Sequence, residues 1–323
     1  MAPNPHSEVP LRPEPIEAKI IDGKKISEEI KIELREQIKE WMQQENVRAP
    51  QLTCILVGED SASQVYVKNK MKAANDVGIK SETINLPKTI SEDELIQIIE
   101  RLNDDNSVDG ILVQLPLPDH IDDKKICNIV SCEKDVDGFN STNLGRLSQD
   151  LNTMVPCTPL GVQELLKKYD IETFGKTAVV VGRSAHVGKP IQSLLQSDGR
   201  HEISGMDCTT IMCHRFTPPE KLKKFCREAD IIIVAVGKPN LIREDMIKPG
   251  ACVIDVGITR IYDEETKKSK LVGDVDFENV KKVAGLITPV PGGVGPMTVC
   301  MLMKNTFTAA KRLAKLRKEK LIK

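Results

Sequence analysis

The chain has 323 residues, and its 46 Lys and Arg residues nearly balance its 47 Asp and Glu residues, which leaves a net charge of −1 at pH 7. That balance gives no overall field favouring nucleic acid or an anionic membrane as a partner. No apolar run reaches the roughly 18 residues that a membrane-spanning helix needs. The length predicts two domains. Because the nine Cys include no C-x-x-C pair, we expect buried thiols in a reducing compartment rather than disulfides or zinc ligands.

Residues 1–18 contain five Pro and no apolar periodicity, so we expect a disordered arm. This segment also contains Glu8, Glu14 and Glu17, with Arg12 as its one Arg or Lys. A mitochondrial presequence is rich in Arg and poor in acidic residues. The composition of the arm therefore does not predict a presequence.

Apolar periodicity alternates between helical and strand spacing through the first half of the chain. A helix is predicted over about 24–45 because Ile26, Ile30, Leu34 and Ile38 share one face. Further predicted elements are a strand at 52–57, a helix from about 61, a strand at 81–86, a helix opened by the Ser91/Glu94 capping box, and a strand at 110–115. Alternating strands and helices predict an α/β fold with parallel sheets covered by helices. We assign residues 19–157 to a first domain.

A second domain is predicted over residues 158–297, because Thr158-Pro159 suits the N-cap and first position of a new helix. Strands are predicted at 177–181, 209–213, 231–236, 251–256 and 285–287, with a helix from about 190. Glycines end three of these strands, at Gly182, Gly237 and Gly257. That edge of a Rossmann-like doubly wound sheet is where a dinucleotide binds. A final helix over 298–323 is expected to return to the first domain and complete it.

A rigid loop is predicted from Pro289 to Pro296, because six of these eight residues are Pro or Gly. A loop with few side chains allows a flat ligand to lie close to the backbone. The helix expected to start near Thr298 would offer free N–H groups to polar ligand atoms.

The loop from Gly182 to Gly188 connects an apolar strand to a helix, as a dinucleotide-binding turn does, although its glycines do not follow G-x-G-x-x-G. Arg215 stands where an NAD site commonly has an acid for the ribose hydroxyls. Together with Arg183 it favours a phosphate, which taken alone points to NADP. Asp207 complicates this interpretation, because a nearby carboxylate would offset the cationic field or hold a metal ion.

Polar residues interrupt the apolar pattern of the first domain at three places. Tyr66 and Lys70 are four residues apart and share a helix face. Gln114 places an amide at the end of a buried strand, where a polar group needs a partner or a function. Asp135 and Asp137 lie in one turn, although Asp-Gly turns are commonly structural.

The order of these features resembles the methylenetetrahydrofolate dehydrogenase/methenyltetrahydrofolate cyclohydrolase family. The matching motifs are Y-V-x-x-K from Tyr66, V-Q-L-P-L-P from Val113, K-D-V-D-G-F from Lys134, G-R-S-x-x-V-G-x-P from Gly182 and P-V-P-G-G-V-G-P-M-T from Pro289. The resemblance runs from about Ile20 to Lys315. The segments 214–218 and 271–277 look like the mitochondrial NAD-dependent bifunctional branch, whereas the NADP-dependent branch typically has Ser-Lys in place of Arg215-Phe216.

The resemblance implies a role for each matching residue. Lys70 matches the catalytic lysine and Gln114 the glutamine that supports it. Tyr66 matches the aromatic residue that stacks on the aminobenzoate ring of folate, and Asp137 the acid that hydrogen-bonds the pterin. The residues expected to bind substrate are Tyr66, Val67, Lys68, Asn69, Lys70, Val113, Gln114, Leu115, Asp137, Pro291, Gly292, Gly293, Val294 and Gly295. The residues expected to bind the dinucleotide are Gly182, Arg183, Ser184, Val187, Arg215, Gly237, Gly257, Ile258 and Thr298.

The same resemblance implies NAD, Mg²⁺ and inorganic phosphate as cofactors. In the NAD-dependent branch, Arg183, Arg215 and an acid matching Asp207 hold the phosphate and Mg²⁺ in place of the missing 2′-phosphate. The NADP-dependent form of the enzyme is the alternative. The family also implies a homodimer and a mitochondrial location, and the composition of the arm leaves the cytoplasm as the alternative.

The implied activity is oxidation of 5,10-methylenetetrahydrofolate, followed by hydrolysis of the methenyl product to 10-formyltetrahydrofolate. Hydride transfer needs a cleft that holds two flat molecules together. Hydrolysis needs a base that takes a proton from water, and a lysine can do so only as the uncharged amine. Burial of Lys70 beside Tyr66 and a cationic substrate would favour that form. Gln114 can orient the amine without adding charge, whereas Glu at this position would favour the ammonium.

Two other functions fit parts of the pattern. One is a shikimate-type NAD(P)-dependent dehydrogenase with a Lys/Asp pair, against which the Pro/Gly segment and Gln114 argue. The other is a non-catalytic dinucleotide-binding protein, against which the combination of Tyr66, Lys70, Gln114 and Asp137 argues.

Overall fold

A computed structural model describes residues 17–263 and 268–321. Helices and strands alternate along most of the chain, and the strands form a three-stranded sheet, a six-stranded sheet and a two-stranded hairpin. Every pairing within the two larger sheets is parallel. The predicted α/β fold class is therefore confirmed. Within the described ranges, every helix is too short or too polar to cross a lipid bilayer.

The first half of the chain builds the three-stranded sheet and its helices. Its elements are β1 (Lys19–Ile20), α1 (Gly23–Glu45), β2 (Gln51–Val57), α2 (Ser61–Asp76), β3 (Lys80–Leu86), α3 (Glu92–Asp104), β4 (Gly110–Val113), α4 (Asp123–Ile129) and α5 (Ser141–Ser148). Strand β2 lies between β3 and β4. Residues 52–57 of β2 are all buried, as expected for a parallel strand that is covered on both faces.

The second half builds most of the six-stranded sheet. Its elements are α6 (Cys157–Lys168), β5 (Thr177–Val181), α7 (Gly188–Gln196), β6 (Thr209–Cys213), α8 (Pro219–Glu228), β7 (Ile231–Val234), a 3₁₀ turn (Glu244–Met246), β8 (Cys252–Asp255), β9 (Thr259–Asp263), β10 (Lys268–Val272), α9 (Phe277–Val280), β11 (Leu286–Ile287) and α10 (Val294–Leu321). The strand order is β1–β11–β8–β7–β5–β6. Strand β6 lies on one side of β5 and β7 lies on the other, so the direction in which successive strands are added to the sheet reverses at β5. The crevice at such a reversal is the usual ligand site of an open α/β sheet.

Two segments far apart in sequence join the lobes. Strand β1 pairs in parallel with β11, so residues 19–20 belong to the larger sheet although they were assigned to the first domain. Helix α10 packs against α1, α2 and α6 and reaches β2 and β4. The division at residues 157 and 158 stays a prediction, but neither lobe is built from one continuous stretch of chain.

Several predicted boundaries shift. The capping box of α3 is confirmed, with Ser91 and Glu94 each bonding the backbone N–H of the other. Thr158 is not an N-cap, because α6 begins at Cys157 and the Thr158 hydroxyl instead bonds that of Thr298 at 3.0 Å. Strands β4 and β7 end two residues earlier than predicted, and the antiparallel β9–β10 hairpin was not predicted.

The last helix begins at Val294, four residues before its predicted start. Its first turn therefore includes Gly295 and Pro296. The prediction excluded these residues from a helix, but N–H groups of a first turn have no intrahelical partner, so Pro costs little there.

The predicted disordered arm extends too far. Ala18 is buried, and its N–H donates to the carbonyl of Lys281 at 2.8 Å. Residues 1–16 of the arm lie outside the described residues.

Candidate active site

A cavity of about 250 Å³ lies where the two lobes meet. The first lobe contributes the end of β4, the face of α2 and the turn before α5, and the second contributes the loop after β5. Its lining residues are Lys70, Val113, Gln114, Leu115, Asp137, Phe139, Cys157, Thr158, His186 and Thr298. Five of these residues were predicted to bind substrate, and Thr298 was predicted to bind the dinucleotide. The structure thus brings together six predicted site residues from distant parts of the sequence.

Lys70 provides the one amine that lines this cavity. It lies on the buried face of α2, and its side chain is 8% exposed. Its Nζ donates to Oε1 of Gln114 at 3.0 Å, while Nε2 of Gln114 donates to the carbonyl of Leu115 at 2.7 Å. Because the amide nitrogen is already engaged, the amide oxygen faces the amine. The partner of the buried amine is therefore a neutral acceptor.

The two carboxylates of the Lys134–Phe139 turn have different surroundings. Asp135 is buried and accepts hydrogen bonds from the N–H groups of Gly138 and Asn140, at 3.0 and 2.7 Å, and from the side chain of Asn143. Asp137 faces the cavity and accepts no hydrogen bond from the part of the chain that the structure describes. Burial raises the pKa of Asp137 to about 6, and the nearby Lys70 opposes that rise. Asp135 thus holds the turn, and Asp137 is free to meet a ligand.

A larger cavity of about 580 Å³ lies between α1, α2 and the Pro/Gly loop. Tyr66 and Asn69 of α2 line it, and burial raises the pKa of the Tyr66 phenol. The predicted segment from Pro291 to Gly295 forms the opposite wall, together with Ile258. The predicted substrate-binding residues therefore line two neighbouring cavities. Asn69 lines the larger cavity, and Lys70, the next residue of α2, lines the smaller one.

The start of α1 packs tightly on the Pro/Gly loop. The N–H of Lys24 donates to the carbonyl of Gly292 at 2.9 Å. A Cβ added to Gly23 would lie 1.9 Å from the carbonyl oxygen of Gly293, so only glycine allows this approach. The loop is thereby fixed in place before any ligand arrives.

Two residues predicted to bind substrate do not reach either cavity. Val67 is 4% exposed and belongs to the hydrophobic core. Lys68 is exposed and lines a separate depression beside Gln64. Successive helix positions are about 100° apart, so Lys68, two residues before Lys70, lies on nearly the opposite side of α2. The structure therefore gives neither residue a place in the lining of the two cavities.

The predicted dinucleotide residues cluster at the carboxyl ends of neighbouring strands. Gly182 follows β5 and Gly257 follows β8, and the residue between them in the sheet, Gly237, comes three residues after β7. Gly237 has φ +70°, and nothing lies within 4 Å of the position of a Cβ. This open backbone suits close contact with a flat ligand.

The loop after β5 is compact. A Cβ on Gly188 would lie 2.1 Å from the carbonyl oxygen of Gly182, so the ends of the loop touch. Oγ of Ser184 accepts the N–H groups of Val187 and Gly188 at 3.1 and 3.4 Å. These contacts close the turn without a side chain filling its centre, as the backbone approach to a phosphate requires.

Two guanidinium groups flank one exposed aromatic ring at this edge. Arg183 lies 5.5 Å and Arg215 5.1 Å from the centre of the Phe216 ring. They follow β5 and β6, which are adjacent and parallel. A pair of guanidiniums this close to a shared ring is a suitable binding site for a phosphate.

Asp207 cannot share an ion with these arginines. It precedes β6, whereas Arg215 follows it, so the whole length of the strand separates them. Its carboxylate accepts the N–H of Gly199, and its carbonyl accepts the N–H of Gly175, which precedes β5. Asp207 therefore lies at the amino end of β6, whereas the two arginines lie at the carboxyl ends of β5 and β6, and this separation argues against the predicted Mg²⁺ site. Across residues 17–263 and 268–321, no three His, Cys, Asp or Glu side chains gather as metal ligands would.

Asp255 and Asp274 were missed by the sequence analysis. Oδ2 of Asp274 accepts the N–H groups of Val236 and Gly237 at 2.7 and 3.0 Å, and its carboxylate lies against Gly257, where a Cβ would come within 2.2 Å of it. Asp255 accepts the N–H groups of Gly257, Asp274 and Val275, and burial raises its pKa to about 6. The pair binds together the turns after β7, β8 and β10. An Asp ending the apolar run of β8 is the sequence signal that could have found it.

A parallel sheet with glycine turns at the carboxyl ends of its strands, joined across a cleft to a second α/β lobe that supplies a buried amine, defines a two-lobed dinucleotide-dependent enzyme. Residues 21–137 match the family model described as the tetrahydrofolate dehydrogenase/cyclohydrolase catalytic domain, and residues 156–314 match that of the NAD(P)-binding domain. The chain belongs to the tetrahydrofolate dehydrogenase/cyclohydrolase family. This membership favours neither a shikimate-type enzyme nor a non-catalytic protein.

Relatives with known names support the same assignment. A mitochondrial bifunctional methylenetetrahydrofolate dehydrogenase/cyclohydrolase of Drosophila melanogaster is 57% identical over 91% of this chain and 95% of its own. The solved 5,10-methylenetetrahydrofolate dehydrogenase of the silkworm Bombyx mori is 55% identical, with a TM-score of 0.87 over 92% of this chain and 99% of its own. The Trypanosoma brucei enzyme, solved with NADP and an inhibitor, is 39% identical, with a TM-score of 0.86 over 92% of this chain and 98% of its own.

Proposed function

We propose that this chain oxidises 5,10-methylenetetrahydrofolate with NAD⁺ and hydrolyses the methenyl product to 10-formyltetrahydrofolate in the same cleft. The single observation that carries the proposal is the buried amine of Lys70, which donates to a neutral amide oxygen 3.0 Å away in a cavity shared by both lobes. Family membership supports the folate substrate and the two linked reactions.

The two neighbouring cavities suit the two parts of a folate. Asp137 offers a free carboxylate in the smaller cavity, where it would hydrogen-bond the pterin. Tyr66 lines the larger cavity opposite the Pro/Gly loop, where its ring would stack on the aminobenzoate. The one-carbon bridge joins those two parts of the substrate. It would therefore lie near Lys70, which lines the smaller cavity and follows Asn69 of the larger cavity on α2.

Dinucleotide chemistry fits the residues at the edge of the larger sheet. The open backbone at Gly237 and the compact 182–188 loop would hold the cofactor. When bound, NAD⁺ supplies the acceptor for the hydride that leaves the methylene carbon. The task of this chain in that step is positioning, because the two lobes must hold both molecules face to face while water is excluded.

In the hydrolytic step the chain acts through Lys70 and Gln114. Water attacks the methenyl carbon, and the uncharged amine of Lys70 takes a proton from that water. The adduct then collapses as the bond to N5 breaks, with the hydroxyl proton passing to N5 and the formyl group staying on N10. The Gln114 oxygen orients the amine without adding the negative charge that would favour its protonated form.

The variant Lys70→Met tests this assignment. Met keeps much of the apolar length of Lys but has no amine, so we expect cyclohydrolase turnover on supplied methenyltetrahydrofolate to fall about 100-fold or more. The matched control is Lys68→Met, an exposed lysine on the other side of the same helix, which should keep normal turnover. If folded Lys70→Met protein hydrolyses its substrate at the normal rate, Lys70 is not the base.

The preference for NAD⁺ rests on the two guanidiniums at Phe216. They suit either the 2′-phosphate of NADP or a separate inorganic phosphate beside NAD⁺. We propose the second, because Arg215-Phe216 resembles the NAD-dependent branch. Because Asp207 lies at the other end of β6 from Arg215, we assign no residue as the Mg²⁺ ligand.

Initial rates with each dinucleotide test this choice. We expect NAD⁺ to support the faster oxidation, added phosphate to lower the KM for NAD⁺, and Arg215→Ser to abolish that phosphate effect. Lys221→Ser, which changes an exposed cation on α8, is the control. Faster turnover with NADP⁺, unaffected by phosphate, would contradict the proposal. Titrating Mg²⁺ in the same assay shows whether the ion contributes at all.

The family resemblance also supports a homodimer in mitochondria. Light scattering should give twice the chain mass of 35.8 kDa. Imaging of the full-length native product should place it in mitochondria. A monomer or a purely cytoplasmic signal would overturn the respective proposal.

A further inference from the structure

A histidine and a phenylalanine form a direct contact between the lobes. The ring of Phe139, in the turn of the first lobe, stacks on the ring of His186, in the loop after β5. Their centroids are 3.9 Å apart and their planes differ by 10°. Both side chains are half-buried and both line the cavity that contains Lys70. Burial lowers the pKa of His186, which favours the flat neutral ring that stacks well on Phe.

Each member of this contact adjoins a different ligand site. Phe139 lies two residues after Asp137, whose free carboxylate faces the folate cavity. His186 lies two residues after Ser184, whose hydroxyl closes the dinucleotide loop. The turn that carries Phe139 is held by the three hydrogen bonds to Asp135. Displacement of either ring would therefore be transmitted to a ligand-binding group only two residues away.

The dinucleotide loop leaves His186 little freedom of its own. The N–H of Val187, the next residue, bonds Ser184, and Gly188 packs against Gly182. A cofactor that binds against this loop must therefore hold or displace the whole loop, including the ring of His186. The stack is consequently a mechanical link between the two sites.

We propose that the Phe139–His186 stack couples the dinucleotide site to the folate site, so that binding of either ligand strengthens binding of the other. His186 acts here as a positioning residue, because its role is exerted through Phe139 and the turn of Asp137. The proposal rests on the proposed function for the identity of the two ligands. Coupling of this kind is reciprocal, so it can be measured from either site.

Calorimetric titration of NAD⁺ into the full chain, with and without saturating 5-formyltetrahydrofolate as a non-reacting folate, tests the coupling. We expect the folate to tighten NAD⁺ binding about fivefold or more in the wild-type protein. His186→Ala should reduce that factor below about twofold. His186→Phe, which restores a flat ring against Phe139, should recover it. His201→Ala, an exposed histidine beyond α7, is the matched control and should couple as wild type.

Steady-state kinetics separate coupling from general damage. His186→Ala should raise the KM for NAD⁺ at saturating folate by a larger factor than it lowers kcat, whereas general damage would lower kcat with the KM unchanged. If His186→Ala does not fold, Phe139→Leu removes the stack from the other side and should lose the coupling equally. Wild-type coupling in these variants, no rescue by folded His186→Phe, or no coupling in the wild type would each overturn the proposal. Failure of the proposed function is a different result, namely a wild-type protein without folate turnover.

Discussion

At the residue scale, the site depends on which polar groups the fold leaves unpartnered. Lys70 donates its hydrogen bond to the neutral amide oxygen of Gln114 rather than to a carboxylate. Asp135 and Asp137 belong to one turn, yet three hydrogen-bond donors surround the first and none among the described residues reaches the second. A partly buried carboxylate without donors, as Asp137 is, favours its protonated form and costs folding free energy at neutral pH.

The variant Asp137→Asn tests that cost. The folded-state pKa is raised from 3.8 to about 6, so the wild type loses stability as pH rises from about 4 to about 6, and the penalty persists above that range. An amide carries no charge at any of these pH values. We therefore expect the variant to gain about 1–2 kcal/mol of unfolding free energy near pH 8, with a smaller gain near pH 4.5, measured by urea denaturation.

Asp135→Asn is the matched control for this experiment. It should lose about 1–3 kcal/mol near pH 8, because an amide cannot accept all three hydrogen bonds that the carboxylate accepts. An Asp137→Asn protein that is less stable than wild type near pH 8 would show that Asp137 carries no burial penalty.

At the element scale, the junction of β5 with α7 shows how a strand–loop–helix unit prepares a ligand site. The loop is held by contacts between its own ends, with Gly188 against Gly182 and Ser184 bonded to the start of the helix. The α7 N-terminus and the glycine turns after β7 and β8 then lie at the same end of the sheet. The network of Asp255 and Asp274 keeps those turns in register.

Gly188→Ala should disrupt this junction selectively. The added Cβ would lie 2.1 Å from a backbone carbonyl oxygen, so the loop must move. We expect NAD-dependent oxidation to fall about tenfold or more. Hydrolysis of supplied methenyltetrahydrofolate, which needs no dinucleotide, should stay within about twofold. Gly145→Ala, a helical glycine whose added Cβ would meet nothing within 4 Å, is the control. Equal loss of both activities in Gly188→Ala would mean that the loop is not specific to the dinucleotide site.

At the scale of the whole molecule, α10 holds the two lobes in one arrangement. Its Asn305 is buried, and the amide nitrogen donates to the carbonyls of Val136 and Val155, both at 2.9 Å. Those carbonyls belong to the turn that carries Asp137 and to the segment just before α6. The Asn305 side chain therefore donates hydrogen bonds to two backbone carbonyls that lie outside helices and strands.

Asn305→Leu should destabilise the protein by about 2–4 kcal/mol, because it leaves the buried Val155 carbonyl without a donor and the Val136 carbonyl with only the weak thiol donor of Cys157. Urea denaturation measures the change, and both activities should decline together as temperature rises. Thr308→Val is the control, since its hydroxyl bonds only the carbonyl of Lys304 within the same helix. If Asn305→Leu loses no more unfolding free energy than this control, Asn305 does not help to hold the lobes together.

The sequence by itself determined the α/β class, most element positions and the main site residues, because strand and helix periodicity and glycine or proline chemistry are local properties. It also singled out Lys70, Gln114 and Asp137, whose roles came from the family resemblance and stay predictions. Only the tertiary structure decided that Val67 and Lys68 face away, that Asp207 lies at the amino end of β6, and that Phe139 meets His186. Those facts depend on which face of a helix, which end of a strand and which lobe a residue occupies, and such relations arise only when segments distant in sequence pack together.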